Sequence, residues 1–131
     1  MARFDKYEPI AGGFRAKLAA AWAAADGTPV GVGLDATGKV VPGAGNTGVL
    51  GVVVLVKNAK NAGDVVDVMT HGEIVDVDDT GFTGRAAGIA VYVVPGTGAL
   101  TNVATANLKI GYMVEADRLV VRKGAGAGTG A

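Results

Sequence analysis

The stretch PGAGNTG at residues 42–48 contains three glycines with the G-x-G-x-x-G spacing of a dinucleotide-binding turn. Asp64 follows at roughly the separation expected of a ribose-binding carboxylate. Such a turn needs a strand before it and a helix after it, because the helix N-terminus receives the pyrophosphate. The residues after Gly48 read VLGVVVLV, which is typical of a strand. We therefore predict a turn where a strand ends, and no cofactor.

The only histidine is His71, which could act as a general base if a nucleophile stood beside it. The chain contains no serine and no cysteine, so the commonest nucleophiles of hydrolases are missing from the sequence. Thr70 is adjacent, but neighbours on a strand point to opposite faces. We predict that His71 and Gly72 form a turn, and that the chain has no catalytic residue and is not an enzyme.

Acidic residues are concentrated in one stretch, since six of the twelve lie between Asp64 and Asp79. Residues 76–81, DVDDTG, match the start of an EF-hand loop, but Ala87 stands where the bidentate glutamate is needed. Carboxylates of this stretch could also pair for acid–base hydrolysis. Because the acids alternate with Val and Ile, the pattern favours strands with one solvated face and no metal site. A contact patch for a basic segment of a partner is the alternative.

Short valine-rich runs predict the elements around these residues. Half of the 131 residues are hydrophobic, yet only 5% are aromatic and 22 are glycine, which suits thin, closely packed β layers. Runs bounded by Gly, Asn, Asp and Pro indicate many short strands. The predicted fold is mainly β, a small antiparallel β-barrel or sandwich. The predicted strands are 30–34, 39–41, 49–56, 64–70, 73–77, 87–94, 109–115 and 118–122.

One short helix is predicted over residues 14–25. Phe14, Leu18 and Trp22 recur at every fourth residue, forming an apolar stripe that is expected to pack in the core. The predicted β-rich domain, including this helix, covers residues 14–123. Residues 1–13 are predicted to be an extended N-terminal arm, because Pro9 opposes helix formation. The Gly/Ala-rich residues 124–131 are expected to be a flexible tail.

Charge and hydropathy exclude several classes of partner. The formal net charge is zero, and no basic stripe is interleaved with aromatic residues, which argues against nucleic acid. The longest apolar run has eight residues, far too few to span a membrane, and the N-terminus lacks the apolar core of a signal peptide. The arm itself carries Phe4 and Tyr7, which are expected either to fold back on the domain or to dock on a neighbouring subunit.

The chain also contains a faint internal repeat. VGLDATGKVV…NTGVLGVVV is similar to VYVVPGTGALT…NLKIGYMV at an offset of about 60 residues. Because valine and glycine match easily by chance in this composition, duplication and coincidence both stay open. The matched pairs are Val32 with Val91, Gly38 with Gly98, Asn46 with Asn107, and Gly51 with Gly111.

The ordered stretches GGFRAKLAAAW, PVGVGLDATGKVVPGAGNTGVLGVVVL and AGDVVDVMTHGEIVDV resemble the small head decoration proteins of tailed bacteriophages, particularly those of actinobacteria. The resemblance covers most of residues 12–122. It is carried by glycines and valines, not by a catalytic signature. It implies a compact β-barrel or β-tulip-like domain on the outer surface of a mature icosahedral capsid.

In this family the resemblance implies a homotrimer that bridges subunits of the major capsid protein and cements the shell. It assigns assembly contacts to the arm and its junction with the domain, namely Arg3, Phe4, Lys6, Tyr7, Ile10 and Phe14. The residues leave other functions open: a spike, tail-tube or head-completion protein, a hydrolase using Asp and Thr, or a cellular adhesion or oligosaccharide-binding module.

Overall fold

The computed structural model describes residues 12–25, 27–55, 61–75 and 84–122. Their strands form two five-stranded antiparallel sheets. The strands of the first sheet are β1 (Gly13–Lys17), β2 (Val30–Leu34), β3 (Val40–Pro42), β4 (Gly51–Val53) and β5 (Val65–Met69), which lie in the order β1-β5-β4-β2-β3. The strands of the second sheet are β6 (His71–Ile74), β7 (Ala90–Val93), β8 (Leu100–Thr101), β9 (Leu108–Glu115) and β10 (Arg118–Arg122), which lie in the order β6-β10-β9-β7-β8.

The prediction of a mainly β fold is confirmed, with two sheets and no closed barrel among the described residues. One isolated parallel bridge, between Leu18 and Val40, links the outer strands of the first sheet. Beside it the Ala19 N–H donates to the Val40 carbonyl over 3.0 Å. A single bridge does not make a continuous ladder, so the first sheet is curved toward closure without being closed.

The helix predicted over residues 14–25 is wrong, and the described residues contain no helix. Phe14 lies in β1, opposite Val68 of β5. The Leu18 N–H donates to the Asp64 carbonyl over 2.8 Å, so its backbone bonds across the sheet and not along a helix. A spacing of four residues is also a multiple of two, and Phe14 and Leu18 therefore share one face of a strand as readily as one face of a helix. The predicted burial of the stripe is confirmed, because Leu18 and Trp22 are both buried.

The turn predicted at His71 and Gly72 is also wrong, because both residues begin β6. Only Thr70 separates β5 from β6, and at this point the chain passes from the first sheet to the second. The bend lies between the two strands, and the Gly12 carbonyl accepts hydrogen bonds from both the Thr70 and the His71 N–H. Gly72 has φ +155°, a backbone conformation that glycine adopts readily, so the chain can change direction near this residue while the strand continues.

The two sheets follow the same plan. Adding five to each strand number of the first sheet reproduces the order of the second. The registers agree as well, since Val32 lies opposite Gly51 in the first sheet and Val91 lies opposite Gly111 in the second. These are two of the pairs matched in the sequence repeat. A chance similarity does not account for identical strand order and matching register at these pairs, so we interpret the chain as an internal duplication.

The first hairpin of each half shows the same correspondence. Leu34 pairs with Val40, and about 60 residues later Val93 pairs with Leu100. Both turns need a glycine with a left-handed backbone, Gly38 in the first and Gly98 in the second, with φ of +83° and +80°. The repeat therefore extends from the sheets to the turns that connect them.

Each half also builds its own core from corresponding positions. The side chains in both clusters are almost fully shielded from solvent. In the first half Trp22, which is 3% exposed, belongs to this cluster. Four buried residues of the first half, Val32, Val40, Val53 and Val68, have as counterparts in the second half Val91, Leu100, Met113 and Leu119.

The two halves pack with the outer face of the first sheet against the inner face of the second. Val53 points into the core of the first half, whereas its neighbour Val52 belongs to the core of the second half. Met69 also packs against the second core. The outer face of the first sheet is thus covered in part by the inner face of the second sheet. Among the described residues no third layer covers the outer face of the second sheet.

Candidate functional site

The glycine motif lies in the loop between β3 and β4. Its three glycines, Gly43, Gly45 and Gly48, all have positive φ. The loop runs into β4, an antiparallel strand, so no helix N-terminus is present to receive a phosphate. The Ala44 N–H donates to the Pro95 carbonyl over 2.8 Å, and the loop thereby joins the two halves. The motif has a structural explanation, because the same Pro-Gly-x-Gly pattern recurs at residues 95–98 and that turn packs against the one at residues 42–45.

His71 is exposed at the start of β6, with its Nδ1 atom 3.2 Å from the Oγ1 atom of Thr70. The expectation that Thr70 would point away from the histidine is wrong, because the chain bends between the sheets at this residue. The pair is short-range, and the described residues place no carboxylate in hydrogen-bonding contact with the imidazole. It therefore lacks the third group that orients a catalytic base.

The described acidic residues of the stretch 64–79 are exposed, as predicted for a solvated face. Asp67 lies 2.8 Å from Arg15, with both side chains more than three-quarters exposed. Asp76, Asp78 and Asp79 lie outside the described residues. In the parts of the chain that are described, no group of three or more potential ligands could hold a metal ion, and no helix is long and apolar enough to cross a membrane.

An open groove of about 800 Å³ lies on the outer face of the first sheet. Its apolar lining includes Val54 and Met69, which are partly buried at the edge of the second core, and Val52, which is itself buried in that core. The ion pair of Arg15 with Asp67 lies along its rim. These two charges cancel, so the groove presents apolar surface with little net charge around it. Exposed ion pairs of this kind are worth at most about 1 kcal/mol, so the pair positions the rim more than it stabilises the fold.

The corresponding face of the second sheet carries larger side chains. Tyr112 is 42% exposed and lies opposite Val120, which in turn lies opposite Glu73. Arg118 lies 3.0 Å from Glu115 and 3.5 Å from Glu73, so it forms ion pairs with two carboxylates on this face. The same strand positions thus form an open groove in one half and a filled, charged surface in the other.

The predicted assembly residues are divided between two settings. Phe14 is half-buried, lines the groove at one edge and packs against the core of the first half. The other five predicted contacts, Arg3, Phe4, Lys6, Tyr7 and Ile10, lie outside the described residues. The groove-forming residues Val52 and Met69 were not predicted as a site, because an isolated valine run carries no signal for which face a second sheet will leave open.

Comparison with known proteins gives a likeness in fold. A solved structure described as Mycobacterium phage Patience superposes with a TM-score of 0.73 at 20% sequence identity, covering 92% of this chain and 95% of that chain. The two chains therefore share a fold over nearly their whole lengths. No protein-family model and no curated protein sequence matches this chain.

Proposed function

We propose that this chain is a structural virion protein that decorates the outer surface of an icosahedral phage capsid and binds its major capsid protein. The observation that carries the proposal is the shared fold over nearly the full length of a mycobacteriophage chain. The resemblance in the order of the glycine and valine motifs gives independent support for a head decoration protein. A virion protein also fits a domain whose described polar clusters have structural explanations.

The proposed mechanism is cementing by many modest contacts repeated over a symmetric lattice. In this mechanism the chain binds as a homotrimer and bridges neighbouring capsid subunits. The N-terminal residues Phe4 and Tyr7 supply apolar anchors, while Arg3 and Lys6 steer the approach to the shell. Neither nucleic acid nor membrane takes part, and the chain is not an enzyme.

Quantitative mass spectrometry of purified particles of the encoding phage tests this function. A decoration protein that covers the lattice is expected at a copy number close to that of the major capsid protein. A few copies per particle would point instead to a spike, tail or head-completion protein. Complete absence from the particle would contradict a virion role altogether.

A binding experiment tests the anchors separately. Replacing both Phe4 and Tyr7 by alanine should abolish co-sedimentation with capsids that lack the protein, because the two aromatic side chains supply most of the apolar area of the arm. The matched control replaces Tyr112 by alanine, an exposed aromatic on the domain. Unchanged sedimentation of the double variant would rule out the arm as the anchor while leaving the copy-number result standing.

A further inference from the structure

We propose that the groove on the outer face of the first sheet is the binding site for residues 7–10 of this same chain, with Tyr7 and Ile10 as the apolar side chains that occupy it. The inference concerns the free protein and does not depend on the proposed function. It assigns a resting position to the part of the arm nearest the domain.

The described part of the chain begins at the groove. Gly12 and Gly13 are themselves part of the groove wall. Ile10 is two residues before Gly12, and Tyr7 is five residues before it, so a fully extended chain reaches at most about 18 Å. A tether this short gives a local concentration in the millimolar range, far above that of any free partner. The Gly12 backbone, with φ +98°, also allows a change of chain direction that other residues rarely adopt.

The side chains of residues 7–10 match the groove in chemical character. Val54 and Met69, which are only partly buried, offer apolar surface in the groove, and the ion pair on the rim is already satisfied. The segment Tyr-Glu-Pro-Ile supplies one aromatic and one branched aliphatic side chain, which lose hydration on burial. The tyrosine hydroxyl can reach water or the polar rim, so filling the groove leaves no buried polar group without a partner. The volume of about 800 Å³ is within the range of sites that enclose a small organic ligand, roughly 300–1,000 Å³.

The two halves place different side chains at equivalent positions of this face. In the second half the position of Gly13 is held by Glu73, and that of Val52 is held by Tyr112. The second half thus fills this face with its own side chains. The first half leaves the part of this face beside β1 open, and it is the half into which the N-terminal arm leads. The small residues of the groove are explained if the arm supplies the missing side chains.

Engineered cysteine pairs in the full chain test the proposal, because the native sequence has no cysteine. Ile10→Cys with Val54→Cys places one thiol in the segment and one on the groove floor. Its matched control is Ile10→Cys with Val114→Cys, the corresponding position of the second half, which is 39% exposed. Under mild oxidation at low micromolar concentration we expect the groove pair to form an intrachain disulfide at least tenfold faster than the control pair.

Equal rates for the two pairs would overturn the proposal, since random collision favours the more exposed control. Disulfides that form between chains would also overturn it, because they would place the arm of a second copy in the groove. A second measurement needs no cysteine. Tyr7→Ala should shift the methyl resonances of Val54 and Met69 in a ¹³C spectrum and leave those of Val114 unchanged, and unchanged groove resonances would contradict the assignment.

Discussion

The two halves of this chain share strand order and register but differ in what covers their outer faces. The outer face of the first sheet is partly buried under the second sheet, and a groove lined by Gly13, Val54 and Met69 lies at the edge of the buried part. The outer face of the second sheet carries Tyr112 and the ion pairs of Arg118. Residues that maintain the fold match in both halves. Residues whose role depends on what covers that half in the molecule differ between the halves.

The core positions are where the halves match most closely, and truncating them should give the largest effect. Met113→Ala is expected to lower the free energy of unfolding by about 2–5 kcal/mol, because the side chain is fully buried. Val53→Ala, its counterpart, removes fewer carbon atoms and should cost less. Val103→Ala, at an exposed position, is the control and should change stability by less than about 0.5 kcal/mol.

These variants also test whether the halves unfold together. Trp22 is the only tryptophan and lies in the core of the first half, so its fluorescence reports that half alone. Circular dichroism reports both sheets. Since the second core includes residues of the first sheet, Met113→Ala should lower both denaturation midpoints equally. A fluorescence midpoint that stays at the wild-type value would show that the halves unfold independently.

The matched glycines of the fourth strand in each half test whether the duplication extends to backbone packing. A Cβ atom at Gly51 would overlap the carbonyl oxygen of Met69, and one at Gly111 would overlap that of Val120. We expect Gly51→Ala and Gly111→Ala each to destabilise the protein by about 1–3 kcal/mol, measured by urea denaturation. Gly96→Ala is the control, since no atom lies within 4 Å of its Cβ position. A large cost at one glycine alone would show that the two backbones pack differently.

The smallest expected effect distinguishes the two hairpin turns. Asp35 accepts hydrogen bonds from the Thr37 hydroxyl and from the Lys39 N–H, and these bonds, the hydroxyl first, hold the pKa of its carboxyl below its usual value. The second hairpin has Val94 at the matching position, so nothing titrates there.

Because the folded-state pKa is lowered, the stability that Asp35 contributes is present above the usual pKa of about 3.9 and is lost as the pH falls through the folded-state value. Thermal denaturation between pH 7 and pH 2 should therefore show that the difference between the wild type and Asp35→Asn shrinks at acidic pH. Thr37→Ala, which removes the largest cause of the shift, should weaken this pH dependence. A difference that is constant with pH would mean that the charge contributes nothing.

Much of the fold could be predicted from local patterns. Valine runs bounded by turn residues predicted strands 30–34 and 118–122 with correct bounds, and most other strands within a few residues. The helix could not be excluded, because a spacing of four residues satisfies both a helix and a strand, and the partner that decides, β5, is about 50 residues away in sequence. The two-residue strand β8 was missed because Leu100 and Thr101 are too few to show periodicity.

The groove was beyond sequence reasoning for a different reason. It exists because two sheets with matching strand orders overlap only in part, and the overlap depends on contacts between residues distant in sequence, such as the hydrogen bond from the Gly31 N–H in β2 to the Gly98 carbonyl. The internal repeat was visible in the sequence, but only strand order and register turned Val32 and Val91 from a possible coincidence into equivalent positions.

The repeat also differs in the length of one connection. Residues 116 and 117 join β9 to β10, whereas residues 54–64 join β4 to β5. Since the second half makes the same strand pairing with a two-residue link, the additional residues of the first connection are not required for that pairing. Loop closure costs only about 0.6 kcal/mol for each doubling of loop length, so this connection should accept foreign peptides. It is therefore the natural point of insertion for an engineer who wishes to display an epitope on this scaffold.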